Sequence, residues 1–122
     1  MTLSITTSTL AGGAVEIAPQ GEIDVDNAYE IREAVAAQLA GPRPNRIDLN
    51  LQNVRFIDSV GISAMVGAFQ LASVGGVKLI VTRPSRFAHR QLWATGLLGL
   101  FGSPQPWNGS DDQAEQPAVS GT

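Results

Sequence analysis

Between Ser59 and Val77 the chain carries no charged side chain. An uncharged run of that length has two destinations, a bilayer or the interior of a folded domain. Gly61, Ser63, Gly67, Gln70, Ser73, Gly75 and Gly76 make it too polar and too glycine-rich for a membrane span. It therefore predicts a helix enclosed by other elements and ended at Gly75-Gly76. Ile62, Met65, Val66 and Phe69 recur at i, i+3, i+4 and i+7 and mark its buried stripe. Directly upstream stands Phe56-Ile57-Asp58-Ser59. Asp or Ser just before a helical pattern is an N-cap signal, and the open amides of a first turn attract anions. One hydroxyl and one carboxylate thus meet at the positive end of an uncharged helix.

The rest of the chain supplies the enclosure. Leu3 to Thr9 alternates and is rich in β-branched residues, which predicts a strand. Gly12-Gly13 breaks it, and Ala14 to Ala18 alternates again, so an antiparallel hairpin is expected. Pro19 and Gly21 end or bend the second strand, and residues 21–27 form a loop into a helix. Asn27 is its expected N-cap, with Glu30 at the capping-box distance. Ala28, Ile31, Val35 and Leu39 form the apolar stripe, and the helix stops near Ala40. Arg46 to Leu51 alternates strictly and predicts a strand, with residues 52–55 as a link to the central helix. Val77 to Val81 is a further, mostly buried strand. Pro84 suits the first turn of a last helix, on which Arg83, Arg86 and Arg90 align if it already includes Arg83. Leu97 to Phe101 is an apolar coda that should pack on the core.

The element order is therefore β-β-α-β-α-β-α. It implies an α/β fold with an antiparallel N-terminal hairpin and largely parallel pairing elsewhere, through right-handed crossovers. Residues 1–102 read as one domain. Residues 103–122 are rich in Pro, Gly and Ser and read as a disordered acidic tail.

Composition then removes whole classes of function. There is no cysteine and one histidine, His89, which excludes disulfides, thiolate chemistry and a multi-histidine metal site within one chain. Residues 1–102 carry eight basic and eight acidic groups, so no basic nucleic-acid footprint exists. Asp111, Asp112 and Glu115 supply the net charge of −3. The N-terminus shows no basic region followed by a long apolar run, which points to a soluble, cytoplasmic protein. A serine hydrolase needs a nucleophile elbow, and Gly61-Ile62-Ser63-Ala64-Met65 lacks its second glycine. No phosphate-binding glycine loop occurs either.

Asp58-Ser59-Val60-Gly61-Ile62 after Phe56-Ile57 resembles the Asp-Ser-x-Gly-Leu/Ile motif of STAS domains, in particular bacterial anti-sigma factor antagonists. Gly21-Glu22-Ile23-Asp24 is similar to that family's Gly-Glu-Leu-Asp, Gly75 to Val81 to its turn and following strand, and Leu92 to Leu97 to its Leu-x-x-Thr-Gly-Leu ending. The resemblance spans residues 3–101. It implies a mixed sheet with helices mainly on one face, no enzymatic activity and no cofactor or metal. It further implies that the unphosphorylated form binds an anti-sigma factor, often a GHKL-type serine kinase, and frees the sigma factor. Phosphorylation of the serine matching Ser59 would end that interaction, and a PP2C-type phosphatase would restore it. No direct contact with nucleic acid or membrane is implied.

On this resemblance Asp24, Asn50 and Asp58 would shape the switch pocket, Asn50 standing where many members carry Asp. Val60, Gly61 and Ile62 would lie in or beside the partner surface, with Gly61 allowing close approach because it has no Cβ. The competing reading makes the chain a non-phosphorylated STAS adaptor in a larger assembly, such as a lipid-transport complex or a stressosome-like scaffold, with Ser59 only a helix cap.

Overall fold

A computed structural model describes residues 2–106. The acidic tail read from the sequence lies, from residue 107 on, outside the described residues. Strand β1 (Leu3–Thr9) turns through Ala11–Gly13 into β2 (Ala14–Ile23). Helix α1 (Tyr29–Ala40), β3 (Arg46–Asn50), β4 (Asn53–Ile57), α2 (Ser59–Val74), β5 (Lys78–Thr82) and α3 (Arg86–Ala94) follow. The sheet runs β1-β2-β3-β5, with β4 also paired to β2. Among the described residues only the β1–β2 pair is antiparallel. The expected α/β architecture is thus present, as a five-stranded mixed sheet with three helices.

Register explains the two faces of the sheet. Val15, Ile47 and Leu79 stand side by side, as do Ile17, Leu49 and Val81. All six are buried beneath α1 and α2, which pack against each other. The alternate residues Glu16, Asp48 and Ile80 face the other way. On α2 the fully inward line is Gly61, Met65, Ala68 and Ala72, while Val66 and Phe69 are half-buried at its flank. Small residues on that line let the helix lie close to the sheet.

Three expectations need correction. Residues 53–55, read as part of a link, form β4 together with Phe56 and Ile57. The chain leaves β3 at Leu51, whose amide donates to Thr82 O at 3.1 Å, and re-enters the sheet beside the second half of β2. Strand β2 also runs on to Ile23, through residues 21–23 expected to open the loop, so the strand is bent and not ended. It does so through a register shift at Gly21/Glu22, where Gly21 takes φ +116° and a Cβ would lie 2.2 Å from Thr2 O. The Thr2 amide, and then Arg55, hold the Glu22 carboxyl below the ordinary carboxylate range. Finally, Arg83 lies outside α3 with φ 48°, so the three arginines do not form one helical row.

Helix α3 is capped by Ser85, which follows the buried Pro84. Its hydroxyl accepts from Ala88 N at 3.1 Å and donates to Val54 O at 2.6 Å, tying the helix to β4. Phe87 meets Phe56 of β4 with ring centroids 5.6 Å apart. Ser85→Ala removes both bonds and should lower the unfolding free energy by roughly 1–2 kcal/mol, read as a reduced urea midpoint at constant m-value. The coda closes the far side. Phe101 is fully buried, its carbonyl accepts from Val81 N at 3.2 Å, and its ring meets Phe69 edge-on.

Candidate functional site

Strands β2 and β4 run parallel and finish together, with Ile23 opposite Ile57. Their next residues, Asp24 and Asp58, open the two segments that form the site. Asp58 is extended (φ −96°, ψ −176°) and caps α2, its Oδ1 accepting from Gly61 N at 2.8 Å. Its Oδ2 accepts from Val25 N at 3.2 Å, and its own amide donates to Ile23 O at 3.1 Å. One carboxylate therefore satisfies an orphan amide of the first helical turn and clamps the neighbouring loop.

That loop is built from side-chain hydrogen bonds. Asp24 is buried, and its Oδ1 accepts from Asp26 N at 3.0 Å. Asn27 is buried as well; its Oδ1 accepts from Asp24 N at 2.9 Å and its Nδ2 donates to Glu22 O at 3.0 Å. Asn27 is consequently not the N-cap expected from the capping-box spacing. Ala28 occupies that position without a side-chain bond, because the amide of Asn27 is spent on closing the turn.

Ser59 is the first residue of α2 and is exposed. Its hydroxyl makes no hydrogen bond to any described residue, His89 included, since Asp58 already serves as the cap. Three exposed apolar side chains belong to the same end of the fold: Val60 at 43%, Val25 at 64% and Tyr29 at 57% exposure. Asp26, exposed, and Glu30, half-buried, add negative charge beside them. Val25 and Tyr29 were not singled out by the sequence. Val25 lies in the loop before α1 and Tyr29 falls off that helix's buried stripe, and periodicity identifies what goes inside, not which outward residues share a surface.

The family model described as "STAS domain" matches residues 7–111. The chain belongs to the STAS domain family. Among solved structures, it is similar to an anti-sigma factor antagonist from Mycobacterium paratuberculosis, with 21% identity, a TM-score of 0.73, and 93% of this chain and 92% of that chain covered. It also resembles the phosphorylated form of the Bacillus cell fate determinant SpoIIAA, at 19% identity and TM-score 0.64 over 91% of this chain and 99% of that one. A sulfate transporter family protein from Wolinella succinogenes shares 15% identity at TM-score 0.69, over 88% of this chain and 89% of that chain. At these identities the likeness is one of fold.

Within this STAS fold, Ser59, Asp58, Asp24 and Val60 gather where β2 and β4 end. Of the other three residues singled out by the sequence, Gly61 and Ile62 share that first turn of α2 but face inward, and Asn50 lies elsewhere. Gly61 and Ile62 are buried, so of the expected partner-binding trio only Val60 offers a surface. Gly61 has an internal reason to be glycine: a Cβ there would lie 2.7 Å from Ile57 Cγ1 and 2.9 Å from Ile23 Cγ2. Asn50 lies on the back of the sheet, where its Nδ2 donates to Glu16 Oε2 at 3.2 Å and its Oδ1 accepts from Gln52 N at 3.0 Å. Register places it beside the middle of β2, several residues before Asp24. At about 3.3 Å per residue that is well beyond side-chain reach of Ser59. The Asp-to-Asn departure therefore falls outside hydrogen-bonding reach of the Ser59 hydroxyl. Among the described residues no cluster of His, Asp and Glu is arranged to hold a metal, and no helix is long and apolar enough to cross a membrane.

Proposed function

We propose that this STAS domain is an anti-sigma factor antagonist. Its unphosphorylated form binds an anti-sigma factor of the GHKL serine-kinase type and so frees a sigma factor in the cytoplasm. Phosphorylation of Ser59 ends that binding, and a PP2C-type phosphatase restores it. The chain acts by binding and performs no chemistry of its own.

The observation that carries the reading is the division of labour at the start of α2. Asp58 does the structural work of the cap, which leaves the Ser59 hydroxyl exposed and without a hydrogen-bonding partner among the described residues. A serine kept only as a cap would have its oxygen on a backbone amide. Around that hydroxyl, Val25, Tyr29 and Val60 offer the exposed apolar area that a protein partner can bury. The similarity in fold to anti-sigma factor antagonists supports the same reading.

The test is phosphorylation mapping. The full chain is incubated with candidate anti-sigma kinases and ATP, and phosphate is located by mass spectrometry. The expected result is a single phosphate on Ser59, removed by a PP2C-type phosphatase and absent from Ser59→Ala. A kinase that binds the chain tightly but never modifies Ser59 overturns the switch and leaves the adaptor reading.

A further inference from the structure

Helix α3 turns to solvent a face that the fold does not use. The helix buries Ala88 and Leu92. Arg86, Arg90 and Trp93 stand at i, i+4 and i+7, within an arc of about 60° on the opposite side. Both arginines are exposed, and Trp93 is 70% exposed. Packing does not account for an indole left open beside two guanidiniums. Trp and Arg are the side chains most enriched where binding energy concentrates. Charge singles out the face further. Asp58 is the last acidic residue before Asp111, so residues 59–102 hold Lys78, Arg83, Arg86 and Arg90 and no acid. Arg46 and Arg55, earlier in the chain, are engaged by Asp48 and Glu22.

We infer that this face docks on the switch end of a second copy of the chain. That end is its counterpart in charge and in chemistry. Asp26 is exposed, Glu30 is half-buried, and the Asp58 carboxylate lies at the same end. Val25, Tyr29 and Val60 supply exposed apolar area among those acids. Trp93 buries its ring against that area while Arg86 and Arg90 pair with the acids around it. Each copy carries both halves of the contact. The net charge of −3 opposes approach to an anionic bilayer, whereas the acidic end of another copy offers charge and apolar area together. The contact is small and leans on charge, so it is weak and salt-sensitive. Docked copies cover Ser59 and its apolar neighbours, and so compete with a partner for that end. This consequence rests on the switch reading. The docking itself does not, and its failure would leave that reading standing.

Analytical ultracentrifugation of the full chain over a wide concentration range tests this. The average mass should rise with concentration at about 0.02 M salt and fall back toward one chain at about 0.5 M. Trp93→Ala should weaken association about tenfold. Two charge-reversed variants, Arg86→Glu with Arg90→Glu and Asp26→Arg with Glu30→Arg, should each remain single chains with the wild-type circular dichroism spectrum. Mixed in equal amounts they should associate again, because each then finds an opposite charge on the other. A misfolded variant could not give that rescue. Wild type that stays a single chain at low salt overturns the proposal; if it then sediments with phosphatidylglycerol vesicles, the face belongs to lipid instead. Association that survives both charge reversals, or that Trp93→Ala leaves at wild-type strength, overturns it too. So does a mixture of the two folded variants that stays apart.

Discussion

Phosphorylation of Ser59, or its replacement in Ser59→Asp, should weaken binding to the anti-sigma partner at least about a hundredfold, whereas Ser59→Ala should stay within a few fold of wild type. The reasoning starts from the charge already present. The first turn of α2 would ordinarily welcome an anion, at about 0.3–2 kcal/mol. Asp58 has taken that place: its carboxylate accepts from Gly61 N at 2.8 Å and from Val25 N at 3.2 Å. A phosphoserine adds about −1.5 to −2 charges directly beside it. Each unit pair about 5 Å apart at an effective dielectric near 20 repels by roughly 3 kcal/mol before screening. The dipole does not offset that sum.

An exposed hydroxyl can carry the phosphate into solvent, so the domain itself stays folded. The repulsion and the bulk fall on the interface instead. A partner covering Val25, Tyr29 and Val60 must either desolvate the phosphate or leave a gap there. A hundredfold loss corresponds to about 2.7 kcal/mol, less than one such desolvation. Isothermal titration of the partner into wild type, Ser59→Ala, Ser59→Asp and the phosphorylated chain measures all four. Binding of Ser59→Asp equal to that of Ser59→Ala would remove the electrostatic account. Circular dichroism should show the same fold throughout.

How legible this was from sequence depends on the kind of signal each residue carries. Helix α2 and the strand at Arg46–Leu51 are legible because their large apolar residues recur on one face, although Val66 and Phe69 end up only half-buried and Asp48 and Asn50 are buried too. Asp58 as the cap was readable within one residue because only a short polar side chain fits that geometry. Strand β4 was not, since Asn53–Ile57 is five residues long and its pairing partner is the end of β2, set by tertiary register. Asn27 misled for a related reason: the same amide can cap a helix or close a turn, and the choice depends on where Asp24 N ends up. Asn50 enters the expected pocket only through the family resemblance, and alternation turns it to the back of the sheet. Val25 and Tyr29 became visible only once Asp58 had drawn the loop against α2.

Gly61 is the position where sequence and structure assign the same residue opposite reasons, and a paired substitution separates them. Gly61→Ala should lower the unfolding free energy by roughly 1–3 kcal/mol through overpacking, while Gly67→Ala in the same helix should be neutral or stabilising by up to about 1 kcal/mol. Helix propensity favours alanine at both sites, so the difference between them reports packing. At Gly61 the added carbon meets Ile57 Cγ1 at 2.7 Å, Ile23 Cγ2 at 2.9 Å and Ile23 O at 3.1 Å. Both isoleucines are buried, and Ile23 O is already held by the Asp58 amide, so neither the core nor the backbone can give way without moving the start of α2. At Gly67 the nearest atoms are Arg32 Nε at 3.2 Å and Cδ at 3.3 Å, the outer part of a flexible and exposed side chain that can swing aside. Urea titrations of the two variants should therefore move their midpoints in opposite directions, or move that of Gly61→Ala alone, with unchanged m-values. A glycine retained for close approach of a partner would behave otherwise: Gly61→Ala would then match Gly67→Ala in stability and lose only binding. Because Ser59 rides on the same turn, the destabilised Gly61→Ala should also shift the amide resonances of Val25 and Ser59, whereas Gly67→Ala should leave them in place.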